Sequence, residues 1–300
     1  MFIVCFGDGL GNQMFQYAFY LALKKCYPEN NVYMDIFRIY GKYIHNGFEL
    51  ERIFGIHPNE VKLNEALKLS EKWPDTKWKY RVGGMIQKIR KVIVGPKESY
   101  IEQDDPTGYY SSVFELNDIK SYIFNGNWVN ERYFCNIRSE ILEAFTFPEL
   151  LDEKNRNIRE MMQKSESVSV HIRKGDYINS KMLNLDLNYY ILAKQKIEKK
   201  IKNPRYFLFT DEKDKIEEYK KIFENAIVVE GNSGNNSFKD MQLMSYCKHN
   251  IIANSTFSFW GAYLNDNPKK IVVAPDKAKY DFRHPFACSD WCIIPYTGNV

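Results

Sequence analysis

The sequence predicts an α/β protein of parallel, doubly wound sheets arranged in two lobes. Three observations predict it. Short apolar runs alternate with helical periodicity beyond about residue 155. The chain opens on a strand, a glycine loop, a helix and a second strand. Its 300 residues, 44% apolar and 27% charged, suffice for one large domain or two medium ones with an ample core.

The first element is "MFIVCF", a short apolar run that reads as a buried strand and leads into "GDGLGNQ". From Asn12 onward, Met14, Tyr17, Ala18, Leu21 and Ala22 recur at spacings of three and four. That is a helix, and Pro28 closes it. "NVYMD", Asn31 to Asp35, reads as the second strand. Residues 58–120 are rich in charge and weak in periodicity, so they read as a charged insert in a first lobe spanning 1–150. Within them, residues 76–97 carry seven Lys or Arg and no acid, interleaved with Met85, Ile86, Ile89 and Val92 to Val94. Two readings stand: a solvated amphipathic helix, or a contact with an anionic membrane surface.

The second lobe, 151–300, has the clearer rhythm. Strands are expected at 165–172, 205–210, 226–230, 249–254 and 270–275. Helices are expected at 187–201, 212–224, 237–247 (with Ser237 as cap) and 258–265. Five strands alternating with four helices are the mark of a parallel sheet. No internal repeat or low-complexity linker interrupts it.

Composition excludes some functions. A net charge of +4 is too small to suggest nucleic acid. Aromatics reach 15%; such rings line sugar sites, but most belong to cores. The six cysteines are scattered with no C-x-x-C, so reduced, mostly buried thiols are expected. No basic stretch followed by an apolar one opens the chain, and no apolar run reaches the ~18 residues of a membrane span. A cytoplasmic location is therefore expected, with any membrane contact peripheral, at the inner face. The two N-x-[ST] matches carry no weight there.

In an open α/β sheet, ligands bind beyond the carboxyl ends of the strands. The loops expected there are "GDGLGNQ", "RKGDY", "TDE", "GNSGNN" and "NSTFS", all polar, small or charged. Together they suggest a phosphorylated ligand held in a cleft between lobes. Arg173 is the sharpest candidate, because a strand-end guanidinium can grip a diphosphate with two parallel hydrogen bonds. Asp176 would brace it or pair with it. In "NSTFSFWGAYL" small polar residues precede a helix start, so Asn254, Ser255, Thr256 and Ser258 could add donors. The competing reading there is a helix cap with Phe257, Phe259 and Trp260 in the core. Asp211 could meet a ribose or cap a helix. The first loop fits a dinucleotide fingerprint only in part, with Gly7 and Gly9 in place but Asn at position 12. Asp35 stands where a ribose-binding acid would. An oxidoreductase using the Gly7–Gly11 loop is therefore one reading. The carboxamide pair Asn12-Gln13 favours a polar ligand instead.

"GLGNQMFQYA", "HIRKGDY" and "NSTFSFWGAYL" resemble the three motifs of the α1,2-fucosyltransferases. "GNWVNERYF", "EILEAFTF", "FLFTDE" and "KDMQLMSYCKHNIIANSTFSFW" resemble further segments of that family, in the right order and out to about residue 275. The resemblance implies a GT-B-like fold of two Rossmann-like lobes with a cleft between them. It implies GDP-β-L-fucose as donor, inversion at the anomeric carbon, no cofactor and no required metal. The acceptor implied is the 2-hydroxyl of a terminal β-galactoside, in an oligosaccharide or a lipid-linked glycan. The absence of any D-x-D pair agrees with metal-free chemistry.

Carried over by position, the motif arginine is Arg173, preceded by His171, and the Gly-Asn-Gln of the first motif is Gly11, Asn12 and Gln13. Arg173, His171, Asp176 and Asn12 are then the expected catalytic group. Donor binding is expected from Gly11, Asn12, Gln13, Arg173, Asp211, Asn254, Ser255, Thr256, Phe257 and Ser258, and acceptor binding from Trp128 and Glu131. Asp8, His171, Asp176 and Glu131 are the candidate bases. Asp8-Gly9 departs from the family's usual Gly-Gly, and Lys174 stands where a second Arg is common. A homologue that binds glycans without catalysis is a further alternative.

Overall fold

A computed structural model describes residues 1–37, 39, 46–73, 78–173, 185–210, 216–276 and 287–295. The chain divides into two units, Met1–Thr146 and Phe147–Val300.

In the first unit, β1 (Phe2–Cys5) is wholly buried, as its unbroken apolar run requires. The helix α1 (Leu10–Cys26) follows, then β2 (Val32–Asp35). α1 stops just before Pro28, with Lys24 and Lys25 in its last turn, where positive charge suits the helix dipole. Short helices α2 (Glu49–Phe54) and α3 (Leu63–Leu69) precede the long α4 (Trp78–Val94). Then come β3 (Tyr100–Glu102), β4 (Tyr122–Asn125) and α5 (Arg138–Ala144). The sheet is parallel, in the order β2-β1-β4-β3.

β3 and β4 are missing from the sequence-based expectation, because strands of three and four residues carry too little pattern to be seen. Residues 58–120 are accordingly more than an insert. Val61, Ala66 and Tyr100 from this stretch pack with Ile3, Cys5 and Ile123 in one core. A second cluster is aromatic: Trp128 stacks on Phe19 with centroids 4.1 Å apart and planes 10° apart, with Tyr133 and Phe124 edge-on to Trp128.

In the second unit, α6 (Glu153–Gln163) is capped by Asp152, whose carboxylate accepts from the Asn155 amide. β5 (Glu166–Ile172), α7 (Leu187–Glu198), β6 (Pro204–Thr210), α8 (Ile216–Ile222) and β7 (Ile227–Val229) alternate as expected. α9 (Phe238–Tyr246), β8 (His249–Ile251), α10 (Thr256–Tyr263), β9 (Val272–Pro275) and the unforeseen β10 (Cys292–Ile294) complete it. Ser237 does not cap α9 with its side chain; it sits in helical backbone after a short 3-10 turn.

This sheet is also parallel, ordered β10-β9-β8-β5-β6-β7. Part of its buried polar set is paired across strands. Asn250 on β8 donates to Ser169 Oγ on β5 at 2.7 Å and receives from Asn265 at 2.8 Å. α10 lies close to α9 because Gly261 offers no side chain; a Cβ there would stand 2.8 Å from that of Met244. None of the six cysteines is in a disulfide. Three are buried, but Cys26 and Cys135 are exposed, which corrects the expectation of mostly buried thiols.

Candidate functional site

Strand order brings non-consecutive strand ends side by side in each unit. In the second unit the chain winds from β5 toward β6 and β7, then returns to the other side of β5 for β8, β9 and β10. The loops after β5 and β8 therefore leave neighbouring strands in opposite directions, which opens a crevice at their carboxyl ends. Val170 is in register with Ile251, so Arg173 and Asn254 emerge side by side. On the other flank Ile172 is in register with Thr210, the last residue before Asp211. Asp211, Asp176 and Lys174 lie outside the described residues.

Two tyrosines of α7 fix these strand ends. Tyr190 donates to the His171 carbonyl at 3.1 Å and Tyr189 to the Ile252 carbonyl at 2.6 Å. Both rings are buried. Arg173 itself is half-buried. His171 is buried, 6.0 Å from the Phe257 ring, and its Nδ1 has no hydrogen-bond partner among the described residues. Burial first, and the Arg173 charge second, hold its pKa down at about 3. A ring so hard to protonate does not suit the role of catalytic base.

The segment after β8 divides sharply. Ser258 is fully buried, and its hydroxyl donates to the carbonyls of Ala253 and Ser255. The hydroxyl fixes the turn, which corrects the expectation that this side chain is a donor-binding group; Ser258 contributes only its backbone N–H to the helix start. Asn254 and Ser255 are also buried, while Thr256 and Phe257 are half-exposed. Ser255 occupies the helix N-cap in extended backbone without a side-chain cap. The first N–H groups of α10 point beyond the helix, as they do at any helix start.

In the first unit β1 and β4 are neighbours too, but no strand of that sheet follows β4. Here the polar side chains turn inward. Gln13 is fully buried; its Nε2 donates to the Asp8 and Gly47 carbonyls and its Oε1 accepts from the Glu49 amide. It is structural, against the expectation that it binds donor. Gln16 accepts from the Gly7 amide at 3.0 Å and donates to Gly126 and Asn127, tying the two loops together. Gly11 is buried within α1, whereas Asn12 is half-exposed and donates to the Asp8 carboxylate at 3.2 Å. Asp8 is exposed with φ of 61°, a left-handed turn conformation.

Trp128 offers an acceptor no surface. It is wholly buried against Phe19, and its amide is held by Gln103 at 2.7 Å. Glu131, half-exposed in a 3-10 turn, is the acceptor candidate that remains at a surface. Asp35 is also buried, with its carboxylate taken up by the Phe37 amide and the Cys5 thiol, so it is closed to a ribose.

Two residues escape the sequence reading. Gln16 lies one turn beyond Asn12 and is visible only as a polar residue on an apolar helix face. Asp240, on α9, receives a 2.7 Å hydrogen bond from Asn232. Burial raises its pKa to about 7, against the opposing pull of Asn232 and Lys154. Its one sequence signal is the preceding "GNSGNNS" loop.

The description of glycosyl transferase family 11 matches residues 97–292. The chain belongs to that family. The α-1,2-colitosyltransferase of Escherichia coli is 32% identical over 283 residues, covering 89% of this chain and 88% of that protein. An O-antigen biosynthesis glycosyltransferase of Escherichia coli, WbnK, is 28% identical over 91% of this chain and 93% of its own length. Among solved structures, an FUT1 mutant of Arabidopsis thaliana in complex with GDP superposes with a TM-score of 0.51 at 10% identity. That match covers 93% of this chain and 71% of the other, and the likeness is one of fold. The fold is GT-B-like, as the sequence motifs imply, and this family 11 member is a glycosyltransferase.

Proposed function

We propose that this enzyme transfers L-fucose from GDP-β-L-fucose to the 2-hydroxyl of a terminal β-galactoside, with inversion, to give an α1,2 linkage. The second unit takes the donor and the first the acceptor. One observation carries the reading: in a family 11 chain, Arg173 leaves β5 beside the loop leading to α10, where the strand order reverses.

The reaction is a single displacement. The acceptor oxygen bonds to C1 while the C1–O bond to GDP breaks, and the hydroxyl proton passes to a base. Asp8, Glu131 and Asp176 are the carboxylates from which that base is drawn; His171 is too hard to protonate. Charge grows on the departing diphosphate. Arg173 answers it with paired N–H donors, and the first N–H groups of α10 with a dipole. We propose that no metal takes part, in keeping with the lack of a D-x-D pair.

The identity to a protein named for colitose favours a second donor reading. Colitose is L-fucose without its 3-hydroxyl. A site that hydrogen-bonds that hydroxyl would reject the deoxy sugar strongly, and one that leaves it unbonded would accept both. The test is incubation with GDP-fucose or GDP-colitose and a panel of β1,3- and β1,4-linked galactosides, in buffer containing EDTA, with products assigned by NMR. The expected product is α-fucosylated at O2 of galactose. Transfer of colitose alone would replace the donor, and a different linkage would overturn the reading. An absence of any transfer, with NADH bound in a fluorescence titration, would favour an oxidoreductase.

A further inference from the structure

α4 is amphipathic the wrong way round for a helix that covers a core. Trp78, Val82, Met85, Ile89 and Val92 recur at spacings of three and four and form one stripe. Trp78, Met85, Ile89 and Val92 in that stripe are exposed, at 78%, 59%, 53% and 87%, and Ile86 and Ile93 beside it are exposed too. The opposite face is the one that attaches to the protein. Gly83 is buried there, and a Cβ at Gly83 would fall inside the Trp73 ring. Lys91 pairs with Glu71 at 2.9 Å on that side. The direction of the apolar stripe is thereby fixed outward.

Bases border the stripe. At 100° per residue, Arg81 and Lys88 fall along one edge, and Lys79 and Arg90 along the other. The helix has no acid, and the next one in the chain, Glu98, pairs with Lys120. Among the described residues no helix is long and apolar enough to cross a membrane. With 17 residues, five of them basic, α4 is suited to lying along a surface.

We propose that α4 seats this glycosyltransferase on an anionic lipid surface, with its apolar stripe among the acyl chains and its bordering bases at the headgroups. Charge complementarity selects this occupant. Phosphate headgroups meet the bases at the level where a lying helix holds its flanks. A second copy of the chain would instead bring two all-basic helices face to face. The inference is independent of the donor and acceptor proposed above.

Co-sedimentation of the full chain with vesicles tests it. Phosphatidylcholine vesicles containing phosphatidylglycerol should bind at least ~10-fold more protein than phosphatidylcholine alone, and added salt should weaken the binding. The Ile89→Glu/Val92→Glu variant should lose roughly tenfold per apolar residue removed. Arg81→Gln/Lys88→Gln should lose a few-fold per charge and most of the preference for anionic lipid. These side chains are exposed, so circular dichroism and thermal unfolding should match wild type. Three results overturn the proposal: wild type left in the supernatant with anionic vesicles, the Ile89→Glu/Val92→Glu variant bound as well as wild type, or equal binding to both vesicle types. A dimer in sedimentation velocity that this variant dissolves, with no vesicle binding, would assign the face to a second copy.

Discussion

In each unit two strands that are not consecutive in the chain end side by side, β1 with β4 and β5 with β8, and the two places are used differently. Beyond β1 and β4, the polar side chains Gln13 and Gln16 are buried and bonded to the neighbouring loops. Where β5 and β8 diverge, a half-exposed guanidinium stands next to a helix start. Glycine-rich spacing drew attention to the first place, yet Gln13 and Gln16 there are scaffolding. The comparison teaches that a polar residue in a loop motif announces a site only where the fold leaves it exposed: Gln13 and Gln16 are buried, whereas Arg173 keeps part of its surface. The helix start after β8 repeats the lesson, since Ser258 is fully engaged while Thr256 and Phe257 reach the surface.

The comparison breaks most severely at Arg173. Arg173→Ala should lower turnover ~10²-fold or more, the loss expected when a donor to developing negative charge is removed. Arg173→Lys keeps the charge without the planar fork and should recover part of the rate. Steady-state kinetics with GDP-fucose would decide it, and wild-type turnover in Arg173→Ala would end the proposed role. No comparable loss is expected from Gln13, whose side chain makes no contact a donor could share.

A second test sharpens the electrostatics of the second unit alone. His171 is held neutral to a pKa of about 3, below its ordinary 6.5. On acidification from pH 6.5 the unfolded chain gains a proton there and the folded chain does not, so stability falls. Asp240 acts in the opposite sense. With a folded pKa of about 7 against an ordinary 3.8, it is protonated in the folded state first, so stability is gained as pH falls from 7 toward 3.8. Each contributes ~1.4 kcal/mol per pH unit in that window, and the two offset one another. Asp240→Asn keeps the acceptor for Asn232 and removes the offset. Its unfolding free energy should fall about 2 kcal/mol between pH 6.5 and 4.5 while wild type changes far less. His249, also lowered by burial, adds to the fall. Denaturant titrations at the two pH values measure it, and parallel curves would refute the assignment.

Much of the second unit was legible because its strands are long enough to show a pattern and are separated by helices. Each of its five expected strands and four expected helices has a counterpart among the described elements. The first unit was less legible. β3 and β4 are stretches of three and four residues set among charges; β3 pairs with β4, and β4's other partner, β1, is far away in sequence. At the site, residue type was readable and direction was not. Trp128 looked like a sugar platform and is a core ring, because nothing local reveals that Phe19, more than a hundred residues earlier, lies flat against it. Asp240 was invisible for the same reason: its perturbation comes from burial that only the folded unit supplies.

Gln16 gives a smaller effect of a different kind. Gln16→Ala would leave the Gly7 amide and the Gly126 carbonyl without this partner in a part-buried setting. The expected cost is ~2 kcal/mol of stability, with the donor KM unchanged. Thermal or denaturant unfolding reads the first and kinetics the second. A KM that rises with stability intact would move Gln16 from scaffold to ligand contact.

The smallest effect is expected at Asp8, which asks whether the first loop holds chemistry at all. Its φ of 61° is a conformation glycine adopts without cost and aspartate tolerates better than most residues. Asp8→Gly therefore relaxes the backbone while deleting the carboxylate that Asn12 now binds. If Asp8 is a turn residue, turnover should stay within about threefold of wild type and stability should hold, since glycine suits the same turn. A base would behave differently, because deleting it removes ~10²–10⁴-fold whatever the backbone prefers. The substitution separates the two roles because it favours the loop geometry while abolishing the only proton acceptor in it, so a large loss could come from chemistry alone.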